Sequence, residues 1–292
     1  MSGALLALAA AAMLGLNTAI VRRSVLRASA YDGIVLSIGL SVPLFAALAL
    51  VSGQFSRAGD FTGWQYLALA VGGVLNFLGG RLSQFYAIQA VGANLTAPMR
   101  VLSALFGAVL GVALLGEEVG LLRGAGIALL IAAPLIAFAR PPSVQLGSLR
   151  IARGVAWGLL AAATYGGSTV ILRWALADSG LTLLGALVAH GAAALILAAS
   201  LAIPARVRSL RAIDRPAARL FLSVGLIMTV AQVLRFAALE SEDAAVVAPL
   251  TETMTFFGLG AAFLLNRRTE AFNPLVLLGM AMAAAGAIAV AL

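Results

Sequence analysis

The chain of 292 residues has no cysteine, which excludes disulfides, thiolate metal sites and a cysteine nucleophile. It has no lysine either, so all 19 basic residues are arginine. Acidic residues number only 11, and His190 is the sole histidine. A His-Glu-x-x-His metal motif is therefore impossible, and no Ser/His/Asp arrangement or ATP-binding motif is evident. Charged residues make up 10 % of the chain, against about 25 % in a soluble domain. So few charges cannot cover a surface facing water, and lipid must be the main solvent.

Long hydrophobic runs are what the chain has instead. Apolar residues reach 62 %, with a mean hydropathy of +1.06. A membrane-spanning helix needs about 20 apolar residues. Polar punctuation divides the sequence into ten such stretches, at 3–22, 31–52, 64–88, 93–115, 120–139, 152–174, 181–203, 217–238, 244–265 and 272–292. The first apolar run, 4–20, has no positive residues before it, and Arg22 and Arg23 follow it. That order is wrong for a cleaved signal peptide and right for a first span. The linker RPPSVQLGSLR at 140–150 falls near the middle, and no soluble domain is expected.

The two halves repeat. LGLNTAIVRR (14–23) aligns with YGGSTVILRW (165–174) at an offset of 151, matching Gly15 with Gly166, Thr18 with Thr169 and Arg22 with Arg173. The same offset pairs Phe85 with Phe236, Pro98 with Pro249, and Gly107 with Gly258. It drifts to 153 near the end, where Glu117 and Gly126 meet Glu270 and Gly279. The expected fold is all-α and integral to the membrane, with ten transmembrane helices as two five-helix repeats at 1–140 and 151–292. Because five is odd, the second repeat must enter from the opposite side and lie inverted, an architecture of many secondary transporters.

Arginine placement sets the orientation. The odd-numbered connections hold Arg22, Arg23, Arg27, Arg140, Arg150, Arg153, Arg206, Arg208, Arg211, Arg215, Arg219, Arg267 and Arg268; the even ones hold only Arg57, Arg123 and Arg173. The odd connections are expected in the cytoplasm and both termini outside, in a cell inner membrane. Arginines in that role make the net charge of +8 a topology signal, and nucleic acid is not expected as a partner.

Polar residues inside the spans carry the functional signal. An ionised side chain near a helix centre costs roughly 2.5–3.5 kcal/mol, so Arg81, Arg100, Arg235 and Glu252 must face a wet cavity or a partner. They lie on polar stripes: Asn76, Gly80, Arg81 and Gln84 on helix 3; Thr96, Arg100 and Ser103 on helix 4; Thr229, Gln232 and Arg235 on helix 8; Glu252 and Thr255 on helix 9. Spacings of three and four put them on one helical side. The repeat pairs Arg81 with Gln232 and Gln84 with Arg235, so the four helices present polar groups at related depths. Asn17 and Ser168, also repeat mates, are further candidates for the lining, or for interhelical hydrogen bonds.

Three arginines and one glutamate suit an organic anion or a zwitterion such as an amino acid. The competing reading is an Arg–Glu clamp between helices, or Arg81 and Arg235 snorkelling to an interface. His190 and Glu252 are candidates for proton coupling, and packing is the plainer role for a lone buried histidine. Trp64 and Trp174 read as interface-belt residues. Pro98 and Pro249 read as first-turn residues of helices 4 and 9, and the pairs Gly72/Gly73 and Gly79/Gly80 mark helix 3 for bending.

The stretch YAIQAVGANLTAPMRVLSALFGAVLGVALLGEEVGLLRGAGIALLIAAPLI (86–136) resembles the drug/metabolite transporter superfamily, specifically its EamA-type ten-helix members. The resemblance rests on Pro98, on the Leu115-Gly116-Glu117 ending and on Gly126; the second copy has Pro249, Glu270 and Gly279, with LNRRTE (265–270) in place of Leu-Gly-Glu. It implies a carrier for a small polar organic solute, often an exporter, working by alternating access and with no enzymatic activity. No cofactor is expected; the expected partners are the solute and membrane lipid, and a monomer suffices. A lipid flippase or a channel is the alternative, and an intramembrane enzyme is more remote.

Overall fold

The computed structural model describes residues 3–115, 120–139, 147–176, 179–241, 250–251, 253–270, 272 and 274–291. Among the described residues all regular structure is helical. The first half contains α1 (Gly3–Val25), α2 (Ala30–Val51), α3 (Gly63–Val91), α4 (Ala93–Leu115) and α5 (Leu121–Ala137). The second contains α6 (Ser148–Leu176), α7 (Thr182–Ser200), α8 (Arg215–Ser241), α9 (Met254–Asn266) and α10 (Pro274–Ala291). Six of these contain a stretch long and apolar enough to cross a membrane by length and composition: α1, α2, α3, α6, α7 and α8. Shorter apolar helices lie within α5, α9 and α10.

The outer faces of the bundle are apolar. Leu135, Leu195 and Leu264 are 69 %, 73 % and 82 % exposed, which only lipid tolerates at this density. The interior is rich in alanine, including Ala7, Ala10, Ala11, Ala19, Ala162 and Ala283. In a bilayer apolar contact with a helix gains little over contact with lipid, so close approach of small residues drives association.

The packing interleaves the halves. α1 lies on α8 and α9, while α6 lies on α3 and α4; α2 meets α7, and α5 meets α10. Each of these contacts between helices of opposite halves has a mate with the halves exchanged, or is its own mate. Four of the tight backbone approaches obey the same rule. A Cβ on Gly73 would stand 2.2 Å from the Ala189 carbonyl oxygen, and one on Gly225 would stand 2.7 Å from that of Ser37. These two pairs are exchanged by one offset of 152. Gly279 against the Ala133 carbonyl and Gly286 against that of Gly126 form a second exchanged set, both at 2.7–2.9 Å. Gly73→Leu is therefore expected to prevent α3 from seating on α7, because backbone cannot retreat as a side-chain tip can. Overpacking of this kind costs about 1–3 kcal/mol or more, and a lowered melting temperature in detergent is the measurement.

Hydrogen bonds show which connections share an end. At one end Gln89 donates to the Val25 carbonyl (2.9 Å), Arg150 to that of Gln89 (3.1 Å), and Ser209 to the Asp32 carboxylate (2.6 Å). Connections 1, 3, 5 and 7 therefore meet there, and Arg22 brings in connection 9 through the Thr269 carbonyl (2.8 Å). At the other end the Gln54 side chain accepts from the Leu183 and Leu184 amides, both at 3.0 Å, and Gln65 donates to the Ala175 carbonyl (3.2 Å). Connections 2 and 6 meet there, and Trp64 and Trp174 are both exposed at that end. α1 runs towards the odd-numbered end and α6 away from it.

Several local features depart from the sequence expectation. α6 and α8 are longer than the apolar windows 152–174 and 217–238, and α7 stops at Ser200. A short surface helix, Pro204–Arg211, follows it with proline at its start, and Arg206 covers the Tyr31 ring at 4.0 Å. Pro98 sits inside α4, past the first turn, because that helix already begins at Ala93. Pro249 and Glu117 lie outside the described residues. In α3 the stretch Leu75–Arg81 is π-helical, with Gly72 and Gly73 just before it and Gly79 and Gly80 within it, pressed on Thr164 and Tyr165 of α6.

Candidate functional site

Helix 3 supplies the most polar face of the core. Asn76 donates to the Ser168 hydroxyl (2.9 Å), and Gln84 accepts from the Tyr165 hydroxyl (2.9 Å). Both bonds join α3 to α6, so the stripe read from spacing is an interhelical seam over part of its length. Arg81, between these two residues, ends the π-helical stretch. It is 3 % exposed, and both terminal guanidinium nitrogens lack a hydrogen-bond partner. Its guanidinium lies over the Phe85 ring at 5.6 Å, which supplies little compensation. A π-bulge often marks a functional position, and a buried cation without an acceptor marks one more strongly.

Across the bundle, Gln84 joins Thr18, Thr96, Arg100 and Thr255 around a small cavity between α1, α3, α4 and α9. Its volume is about 30 Å³, enough for water and too little for an organic solute. Thr96 also bonds back to the Gly92 carbonyl (2.6 Å), which fixes its rotamer at the mouth of α4. Asn94, Met254, Gly258 and Met280 complete the wall; the polar pattern of the sequence did not pick them, since three of them are apolar and Asn94 lies off the stripe of Thr96, Arg100 and Ser103.

The remaining candidates are distributed as follows. Asn17 of α1 is 7 % exposed with its side-chain oxygen unpartnered, as is the side-chain oxygen of Gln232 on α8. These two are the repeat mates of Ser168 and Arg81, so the corresponding slot in the other half exposes acceptors where the first exposes donors. Ser103 and Arg235 are half-buried on α4 and α8 and do not line the cavity. Glu252 lies outside the described residues. His190 is clamped between the rings of Phe45 and Phe77, at 4.7 and 4.0 Å, with its Nδ1 on the Ala186 carbonyl (2.7 Å). No group of three or more metal-ligating side chains occurs among the described residues.

One buried ion pair was not legible from hydropathy. Arg22, counted above among the connections, lies inside α1 and is 4 % exposed. Its Nε is 3.3 Å from Glu270, and its other nitrogens donate to the carbonyls of Ile88 (2.6 Å) and Thr269 (2.8 Å). Glu270 in turn accepts from the Ala93 and Asn94 amides at 2.8 and 3.0 Å, capping α4 at its positive end. Burial pushes the Glu270 carboxyl above its ordinary range, against the pull of those two amides and Arg22. The signal available in sequence was the pairing of Arg22 with Arg173 and of Glu117 with Glu270.

Apolar helices, interleaved homologous halves and polar groups enclosed between them define a multi-pass membrane protein. The chain belongs to the EamA-like transporter family, whose model matches twice, over residues 1–139 and 152–292. This places it with the drug/metabolite transporter superfamily. A solved structure titled "Crystal structure of protein" superposes with a TM-score of 0.63 over 98 % of this chain and 95 % of its own, at 11 % identity; that likeness concerns the fold alone. No curated protein matches the chain.

Proposed function

We propose that the protein is a secondary carrier for a small polar organic solute bearing a carboxylate or another anionic group, with zwitterions such as amino acids included. The observation that carries this reading is the enclosed Arg81 guanidinium, whose two terminal nitrogens have no acceptor. A solute carboxylate supplies the acceptor, and bidentate pairing suits a guanidinium above other cations. Arg100, Thr96, Gln84 and Thr255 provide the second polar cluster. The unpartnered oxygens of Asn17 and Gln232 suit an ammonium group, and Asn76, Ser168, Ser103, Arg235 and Glu252 complete the candidate set.

In this reading all ten helices cross a cell inner membrane as two inverted repeats, with the odd-numbered connections in the cytoplasm and both termini outside. The cavity of about 30 Å³ is too small for such a solute, so access must alternate with closure. Export is the direction the family resemblance favours. His190, held between two phenylalanine rings, serves packing in this scheme, and Glu252 is the candidate for proton coupling.

A thermal-shift screen of the purified protein tests the substrate class. Carboxylates or amino acids are expected to raise the melting temperature with saturation, and nucleosides and cationic drugs are not. A response to cations alone would overturn the reading.

A further inference from the structure

Arg22 and Glu270 tie together the three connections that surround the cavity at the odd-numbered end. Glu270 holds the first two amides of α4, the helix that carries Thr96 and Arg100 into the cavity. Arg22 holds Glu270, the last turn of α3 at Ile88, and the loop after α9 at Thr269. Gly92, between α3 and α4, has φ +97°, and a Cβ there would stand 2.7 Å from the Glu270 carboxylate. Glycine at that position lets the carboxylate sit against the backbone. Asn266 adds a further tie, donating to the Ala19 carbonyl of α1 at 2.7 Å.

This cluster joins α1, α3 and α4 of one half to the α9–α10 connection of the other. Apart from the Arg22–Ile88 bond, which lies within the first half, every one of these bonds must break if α9 and α10 are to part from α1 and α4 at that end. The parts recur in sequence: Arg173 is the repeat mate of Arg22, and Glu117 that of Glu270.

We infer that Arg22 and Glu270 form the latch that closes the odd-numbered end of the cavity. This rests on the transport reading above. A buried ion pair is weakly stabilising when complete and strongly destabilising when one partner is lost, which makes it a two-position element. The carboxylate also has a directional role that a charge alone lacks, since it caps α4. Exchanging the two charges, with Arg22→Glu and Glu270→Arg together, therefore does not restore the latch.

The chain has no cysteine, so a single introduced thiol reports access without further engineering. Ala97→Cys places the probe in the cavity wall, and Ala205→Cys on the exposed surface helix identifies the odd-numbered face. Labelling is by a membrane-impermeant maleimide applied to each face in turn, in intact cells and in inverted vesicles. Glu270→Gln and Arg22→Gln, each with Ala97→Cys, are expected to speed labelling from the odd-numbered face at least about tenfold, equivalent to about 1.4 kcal/mol. Labelling from the opposite face should slow.

Rates within twofold of the parent in monodisperse protein would overturn the latch, as would equal acceleration from both faces. Loss of the folded protein in both Glu270→Gln and Arg22→Gln would also overturn it, by making the pair a folding element. The probe needs no solute, so a blank ligand screen tests the transport reading alone, and unaltered labelling removes only the latch.

Discussion

Arg81→Met is expected to raise the melting temperature of the protein while abolishing its transport. The two effects have one cause. Arg81 is 3 % exposed and its terminal nitrogens meet no acceptor, so the empty carrier holds an uncompensated cation in its core. An ionised arginine at a helix centre costs roughly 2.5–3.5 kcal/mol on insertion scales. Methionine keeps the unbranched stem, removes that cost and makes a sulfur–aromatic contact with Phe85. A gain of about 1–3 kcal/mol at roughly 2–4 °C per kcal/mol corresponds to a shift of several degrees. Thermal unfolding in detergent and solute flux in proteoliposomes measure the two arms. A lowered melting temperature with flux retained would identify Arg81 as a packing residue and remove the anchor of the proposed site.

The second large effect is expected at Arg100. Arg100→Ala should weaken solute binding by about 10- to 150-fold, the range that corresponds to losing charge-assisted hydrogen bonds of about 1.5–3 kcal/mol. Its place in the cavity wall beside Thr96 and Thr255 makes this loss local, and the melting temperature should move little. Arg100→Lys should recover only part of the binding, because an ammonium cannot reproduce a planar two-point contact. Glu252→Ala is expected to act in the same direction on the sequence argument alone. Normal transport kinetics in Arg100→Ala and Glu252→Ala would sink the assignment of both residues.

How far the sequence reached can be judged from individual residues. The offset of 151 came from Gly15, Thr18 and Arg22 against their mates, and the structure turns such offsets into contacts, as Gly73 on Ala189 and Gly225 on Ser37 show. Helical spacing put Asn76 and Gln84 on one face, and both reach α6. Spacing alone did not say that their partners would be Ser168 and Tyr165, because partner choice depends on the crossing of two helices. The π-helical turn at Leu75–Arg81 left only the glycine pairs as a trace, since a shift of backbone hydrogen bonding has no side-chain signature. Arg22 was misassigned for a physical reason: an arginine at the end of an apolar run reads as a topology signal, and Glu270 is too distant in sequence to contradict it.

The dependence of Arg22 on Thr269 and Glu270 also has a meaning for biogenesis. Thr269 follows Arg22 by 247 residues. At about 5–20 residues per second the ribosome needs roughly 12–50 s to deliver that partner. During this interval α1 is already made, and once α3 has followed it the arginine has only the Ile88 and Gln89 carbonyls to turn to. A nascent chain that stalls or is truncated before the last connection leaves a charged, half-satisfied α1 in contact with lipid or with the insertion machinery. Such a chain exposes a cation that the finished protein buries, which is the kind of difference a membrane quality-control protease can read.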